Sequence, residues 1–219
     1  RGQLGDGTTN DRWTPTQTAS LGTGRAAVAI SSGLSEHTCA ILDDGSVSCW
    51  GSNQVGQLGD GTNTNRNSPT QTSSLGSGRT ADAITTGGSR TCVILDNGSV
   101  SCWGSYVGDG TSADANTPTQ TASLGSGRTA VALSAGQLHT CAILDDGSVS
   151  CWGKNFRGQI GLFPHVRRLA WLKIVPIALA LPRTLHDVCW QSAALCTVHH
   201  DPQGCGGSGG CHSCPRILS

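Results

Sequence analysis

Charge is scarce in this 219-residue chain: charged residues make up 13% of it, and 14 basic side chains balance 14 acidic ones, for a formal net charge of zero. Such a chain has no general attraction for a polyanion, so neither nucleic acid nor an anionic membrane surface is indicated as a partner unless a local basic patch exists. Long apolar runs are also missing. The best candidate, residues 169–181, contains Lys173 and Pro176 and is too short to cross a bilayer. No stretch calls for a long amphipathic helix. Methionine is absent, and the opening run Arg1-Gly2-Gln3-Leu4-Gly5 matches Gly56-Gln57-Leu58-Gly59 in mid-repeat. Both features are expected of a fragment, in which the lack of a signal peptide says nothing of compartment.

What the chain has in quantity is glycine, 31 residues, set within a repeated text. Residues 37–51, His-Thr-Cys-Ala-Ile-Leu-Asp-Asp-Gly-Ser-Val-Ser-Cys-Trp-Gly, return nearly unchanged at 90–104 and at 139–153. A unit recurring in this way is one supersecondary piece stacked on copies of itself. Within it, Cys39-Ala40-Ile41-Leu42 and Ser46-Val47-Ser48-Cys49-Trp50 are strand-compatible runs around Asp43-Asp44-Gly45. A three-residue hairpin loop needs a positive φ at its last position, where Gly45, Gly98 and Gly147 stand. Counting outward places Ile41 opposite Val47, Ala40 opposite Ser48 and Cys39 opposite Cys49. One face then carries Cys39, Ile41, Val47 and Cys49, and the other Ala40, Leu42, Ser48 and Trp50. Small or apolar residues on both faces are those of a sheet held between two other sheets, with Trp50, Trp103 and Trp152 filling the space between neighbours.

The same register sets Cys39 against Cys49, Cys92 against Cys102 and Cys141 against Cys151 at non-hydrogen-bonded positions, where side chains come closest. Cross-strand disulfides and small buried thiols are the two readings. Oxidised pairs would favour a secreted or periplasmic setting; the compartment is otherwise unknown.

Around each hairpin the period is filled out. Gly5-Asp6-Gly7-Thr8 recurs from Gly59 and from Gly108, offsets of 54 and 49 residues. Between these stand Pro-Thr-Gln-Thr (Pro15, Pro69, Pro118), a Ser-Leu-Gly-x-Gly-Arg turn (Arg25, Arg79, Arg128) and a short alanine-rich strand candidate. Each period thus holds about four short strands, roughly twelve in all. The proline places its strand at a sheet edge, where a missing N–H costs little. The stretch from Trp103 to Gly108 is four residues shorter than that from Trp50 to Gly59, as expected of a surface loop.

The order His-Thr, Asp-Gly turn, Trp-Gly, Gly-Gln-Leu-Gly resembles the repeat of the regulator-of-chromosome-condensation family, over about residues 1–161. The resemblance implies a seven-bladed β-propeller of four-stranded sheets in full-length relatives. This chain is then all-β, a partial propeller of about three four-stranded antiparallel blades plus an irregular C-terminal tail. The matching positions are His37 and His139 with their threonines, the three turn glycines, the three tryptophans and the run 56–59. The middle copy departs, with Arg90 for the histidine and a run shortened to Gly108, so its central packing is expected to differ while its hairpin persists. A photoreceptor of this family carries tryptophan just before its His-Thr; Ser35-Glu36 and Gln137-Leu138 stand there instead, against that role.

At Gly161 the period breaks, because Leu162-Phe163-Pro164 occupies the place of Asp-Gly-Thr. Residues 162–219 hold 5 of the 7 histidines and 5 of the 11 cysteines. A shifted reading frame or a disordered tail accounts for the change, against a separate domain. Its Cys-x-x-Cys makes His200, Cys205, Cys211 and Cys214 weak zinc candidates, opposed by the flexible Gly-Gly-Ser-Gly-Gly at 206–210.

In the repeats, the Asp-Gly pairs serve turns rather than calcium, since no loop gathers enough oxygens. His37 and His139 have no catalytic partner at suitable spacing and read as hydrogen-bonded structural residues. No nucleophile, base and orienting group come together, and no phosphate-cradling loop precedes a helix. Neither enzyme nor cofactor is expected. The reading is a scaffold that binds protein through loops on one face. The alternatives are an exchange factor for a small GTPase, as the family's namesake implies, and an inhibitor-type propeller of the secreted kind.

Overall fold

The computed structural model describes residues 1–161. Every element in them is a β-strand. Strands β1 (Ala27–Gly33), β2 (His37–Leu42), β3 (Val47–Gly51) and β4 (Arg66–Gln71) form one antiparallel sheet in sequence order. A second sheet repeats it with β5 (Ala81–Thr86), β6 (Arg90–Leu95), β7 (Val100–Gly104) and β8 (Ala115–Gln120). The third has only β9 (Ala130–Ala135), β10 (His139–Leu144) and β11 (Val149–Gly153). The described strands are therefore eleven rather than twelve. Each outer strand follows its own hairpin; among the described residues no hairpin precedes the Pro15 segment, which lies in no strand.

The hairpin register is the one that residue order dictates. Ile41 faces Val47, Ala40 faces Ser48 and Cys39 faces Cys49, and both later hairpins repeat it. Each cysteine pair stands at disulfide distance, with Cα atoms 4.1 Å apart. Pro69 and Pro118 lie inside β4 and β8, the edge strands of their sheets, where the ladder is irregular anyway. An irregularity also recurs near the start of each first strand, at Ala27/Ala29, Ala81/Ala83 and opposite Ile143/Leu144, inserting one residue and adding local twist.

The blades bury their two faces against each other. Cys39, Ile41, Val47 and Cys49 of the first blade meet Ala81, Val93, Leu95 and Trp103 of the second, around Leu58. Cys92, Ile94, Val100 and Cys102 of the second meet Ala130, Ala142 and Leu144 of the third, with Trp152 packed alongside and Val107 in the place of Leu58. Trp103 and Trp152 lie in these junctions. Gly59 lets the chain cross the Trp103 ring, since a Cβ there would lie 2.8 Å from Nε1. The loop after each of the first two hairpins is not the surface loop its variable length implies: Ser52, Asn53, Gln57 and Leu58 are all buried, and so is Val107. It is the wedge between two blades, and it shortens without exposing the core because Val107 still reaches the junction.

Candidate protein-interaction face

Along each junction runs a seam of polar contacts beside the apolar core. Ser31 Oγ meets Thr86 Oγ1 at 2.8 Å, Ser35 Oγ meets Ser89 Oγ at 2.9 Å, and the Leu34 amide donates to Gly87 O at 3.2 Å. His37 Nε2 reaches Thr91 Oγ1 at 3.1 Å. Burial pushes His37 down to about 4, so it is neutral at physiological pH. Arg90 does the equivalent work in the next blade, donating from Nε to Thr140 Oγ1 at 3.0 Å and from Nη2 to Gly136 O at 3.3 Å. The middle blade is thus packed by the same kind of contact as the first. Burial lowers Arg90 to about 10, and its guanidinium lies 5.9 Å from the Tyr106 ring centre. His139 is only half-buried, for among the described residues no following blade supplies its threonine.

At the turn end, Gly45 and Gly98 adopt φ of 76° and 74°, and a Cβ on either would collide with Thr80 or Thr129 of the next blade. Gly147, with φ of 79°, meets nothing. Arg25 pairs with Asp44 at 2.8 Å, Arg79 with Asp96 at 3.0 Å and Arg128 with Asp146 at 3.3 Å. Beside these pairs open two grooves built from corresponding residues. Leu21, Arg25, Asp44, Ser48, Pro69 and Gln71 line the first, of about 540 Å³. Leu75, Arg79, Asn97, Ser101, Pro118 and Gln120 line the second, of about 470 Å³. The second differs by Asn97 for Asp44, which removes a carboxylate from an otherwise duplicated surface.

At the opposite end, the Asp-Gly-Thr loops are turns braced by their own side chains. Asp6 accepts from Thr8 Oγ1 at 2.7 Å and pairs with Arg12 at 2.6 Å, and Asp60 repeats this with Thr62 and Arg66. Hydrogen bonds, that from Thr8 first, hold Asp6 down to about 2. Asp109 keeps its threonine, but the residue six positions on is Ala115. The organiser that residue reading missed is Asn53. Its Nδ2 donates to Thr62 O at 3.0 Å and Thr64 O at 3.1 Å, while its Oδ1 accepts from the Leu58 amide at 2.9 Å. Its signal was the Trp-Gly-x-Asn recurrence at Asn155, whose Oδ1 accepts from Ile160 at 3.0 Å.

Among the described residues no group of three or more His, Cys, Asp or Glu is placed to hold a metal. The candidates His200, Cys205, Cys211 and Cys214 lie outside the described residues. Among these residues, too, no helix is long and apolar enough to cross a membrane.

Stacked antiparallel four-stranded sheets, joined by a wedge loop and repeated at a fixed period, define a β-propeller repeat protein, present here as part of a ring. The regulator of chromosome condensation (RCC1) repeat matches residues 27–57 and 130–159 in one form and 44–94 in another. RCC1-like repeats thus occupy residues 27–94 and 130–159 of the chain. Its fold resembles that of Prp20p from Saccharomyces cerevisiae, with 22% identity and a TM-score of 0.55 over 63% of this chain and 34% of that one. It also resembles human WBSCR16, with 23% identity and a TM-score of 0.63 over 73% of this chain and 42% of the other. Yeast RCC1 (Prp20) bound to Kap60 matches at 22% identity, with a TM-score of 0.55, over 64% of this chain and 35% of that chain. The chain thus spans less than half the length of each of these structures.

Proposed function

We propose that this protein is a non-enzymatic scaffold that binds a protein partner through the grooves at the turn end of its blades. The observation that carries the reading is duplication: the same apolar, hydroxyl and amide groups line a groove of about 540 Å³ in one repeat and about 470 Å³ in the next. A surface repeated at a constant step suits an extended segment that crosses successive blades. The structures of similar fold include a protein whose binding to Gsp1p and histones has been described and one bound to Kap60, so protein partners are the kind of ligand this fold serves elsewhere.

Gln71 and Gln120 are exposed on the edge strands and face the grooves. The double substitution Gln71→Arg, Gln120→Arg is expected to weaken a partner recovered by the native chain roughly tenfold or more, by displacing it and adding an unmatched charge. Retained affinity would move the binding surface elsewhere. The competing readings are exchange on a small GTPase and inhibitor-type binding. Nucleotide release measured with a panel of small GTPases decides the first, and acceleration by this chain would replace the scaffold reading.

A further inference from the structure

The two grooves at the turn end are joined. Between the first and second blades opens a cleft of about 570 Å³, lined by Val28, Leu42, Asp43, Asp44, Thr80 and Asp82 among others. Leu42 and Asp44 also wall the first groove, and Thr80 directly follows Arg79 of the second. An extended segment therefore has one continuous path from groove to cleft to groove. That path is built in advance, because the Ala81 amide donates to Gly45 O at 2.9 Å and ties the hairpin turn of one blade to the first strand of the next.

Charge along the path is one-sided. Asp82 is the residue that the irregularity in β5 inserts, as Val28 and Val131 are in β1 and β9. An inserted residue is left out of the ladder and its side chain is re-aimed; all three are exposed. Only the middle repeat places a charge there, and among the described residues the Asp82 carboxylate has no hydrogen bond or ion pair. Asp43 and Asp44 line the same cleft and share one cation, Arg25, at 3.5 and 2.8 Å. Hydrogen bonds from Ser46, its hydroxyl first, hold Asp44 below the usual carboxylate range, so it is ionised at neutral pH.

Three carboxylates thus meet one guanidinium, and the cleft keeps a negative surplus beside the apolar Val28 and Leu42. The surplus is local. Away from the turn end the described residues carry as many basic side chains as acidic ones, and at the next junction Asp96, Asn97 and Val131 take the places of Asp43, Asp44 and Asp82. A bare metal ion does not fit, since among the described residues no group of three or more His, Cys, Asp or Glu is placed to hold one. A lysine or arginine does, because its stem can lie along the apolar wall while its head reaches the carboxylates.

We propose that the partner segment is basic: an extended stretch of protein that sets a lysine or arginine in the cleft between Asp43, Asp44 and Asp82, with the residues on either side of it in the two grooves. This rests on the reading of those grooves as the partner site. The same surplus repels an acidic segment and a nucleic acid.

Fluorescence anisotropy with the full chain tests this, using three labelled peptides of equal length in which serine alternates with lysine, with glutamine or with glutamate. The lysine peptide is expected to bind about tenfold or more tightly than the glutamine peptide, and the glutamate peptide more weakly than either. Asp82→Val installs the residue that β1 and β9 carry at this exposed position, and should weaken the lysine peptide about fivefold. Asp114→Asn removes an equal charge from an exposed loop at the opposite end and should leave binding unchanged. The pair Gln71→Glu, Gln120→Glu should tighten it. A lysine peptide that binds no better than the others, or losses that are equal for Asp82→Val and Asp114→Asn, overturns the proposal. A natural partner lost on Gln71→Arg, Gln120→Arg but indifferent to Asp82→Val and to the glutamate pair keeps the grooves as the binding surface and rejects the basic occupant; a partner indifferent to every one of these substitutions rejects both.

Discussion

A protonated imidazole at His37 has nowhere to place its charge, and this makes one side chain a determinant of acid stability. Its folded value of about 4 lies below the unfolded value of 6.5, so between these the unfolded chain binds more protons than the folded one. Stability is complete above the unfolded value and falls as pH drops toward the folded one, by up to about 3 kcal/mol from this group. Denaturant midpoints from pH 7 to pH 4 should show the loss, and His37→Gln should flatten it. A slope unchanged in the variant would mean that another group titrates. Arg90 raises the converse question, since it is a buried cation held by a hydroxyl and a carbonyl rather than a carboxylate. Arg90→His restores the residue found in the other repeats, within reach of Thr140. It is expected to stabilise by about 1 kcal/mol or more, because an imidazole sheds its charge where a guanidinium does not. A lower melting temperature for this variant would show that the Tyr106 stacking outweighs desolvation.

The hairpin element was legible because everything that fixes it is local: a glycine at the αL position, alternating faces and cysteines equidistant from the turn. Its edges and wedges were less so. The burial of the loop after Trp50 rests on Asn53 reaching Thr62 and Thr64, residues nine and eleven positions away; the Trp-Gly-x-Asn recurrence marks the residue but not these contacts. The strand count differs for a related reason, since Pro15 looks like Pro69 in sequence while, among the described residues, a hairpin precedes Pro69 and none precedes Pro15. In the turn-end surface, Asn97 was readable as a departure from Asp44, but the groove it alters appears only when the outer strand is laid beside the hairpin. The cysteine pairs make a prediction at this scale. Each closes a short loop, for which chain entropy gives roughly 2–3 kcal/mol. Cys39, Cys49, Cys92 and Cys102 are fully buried, whereas Cys141 and Cys151 are partly exposed. If the pairs are oxidised, graded reduction followed by peptide mapping should open Cys141–Cys151 first, because exchange requires access. Simultaneous opening of all three would indicate that reduction follows global unfolding.

In the molecule as a whole, each blade meets the next through one surface pair, and that pair occurs twice with almost the same residues. The two cores differ chiefly at Leu58 and Val107, where the wedge is long in one and short in the other. A gene encoding such a chain can gain or lose a whole period without inventing an interface, because the newly adjacent blades already fit. The shortened wedge is the exception: Arg90 stacks on Tyr106, and Tyr106 exists only where the run has contracted. A recombination point falling between Arg90 and Tyr106 would therefore part a buried arginine from its aromatic neighbour.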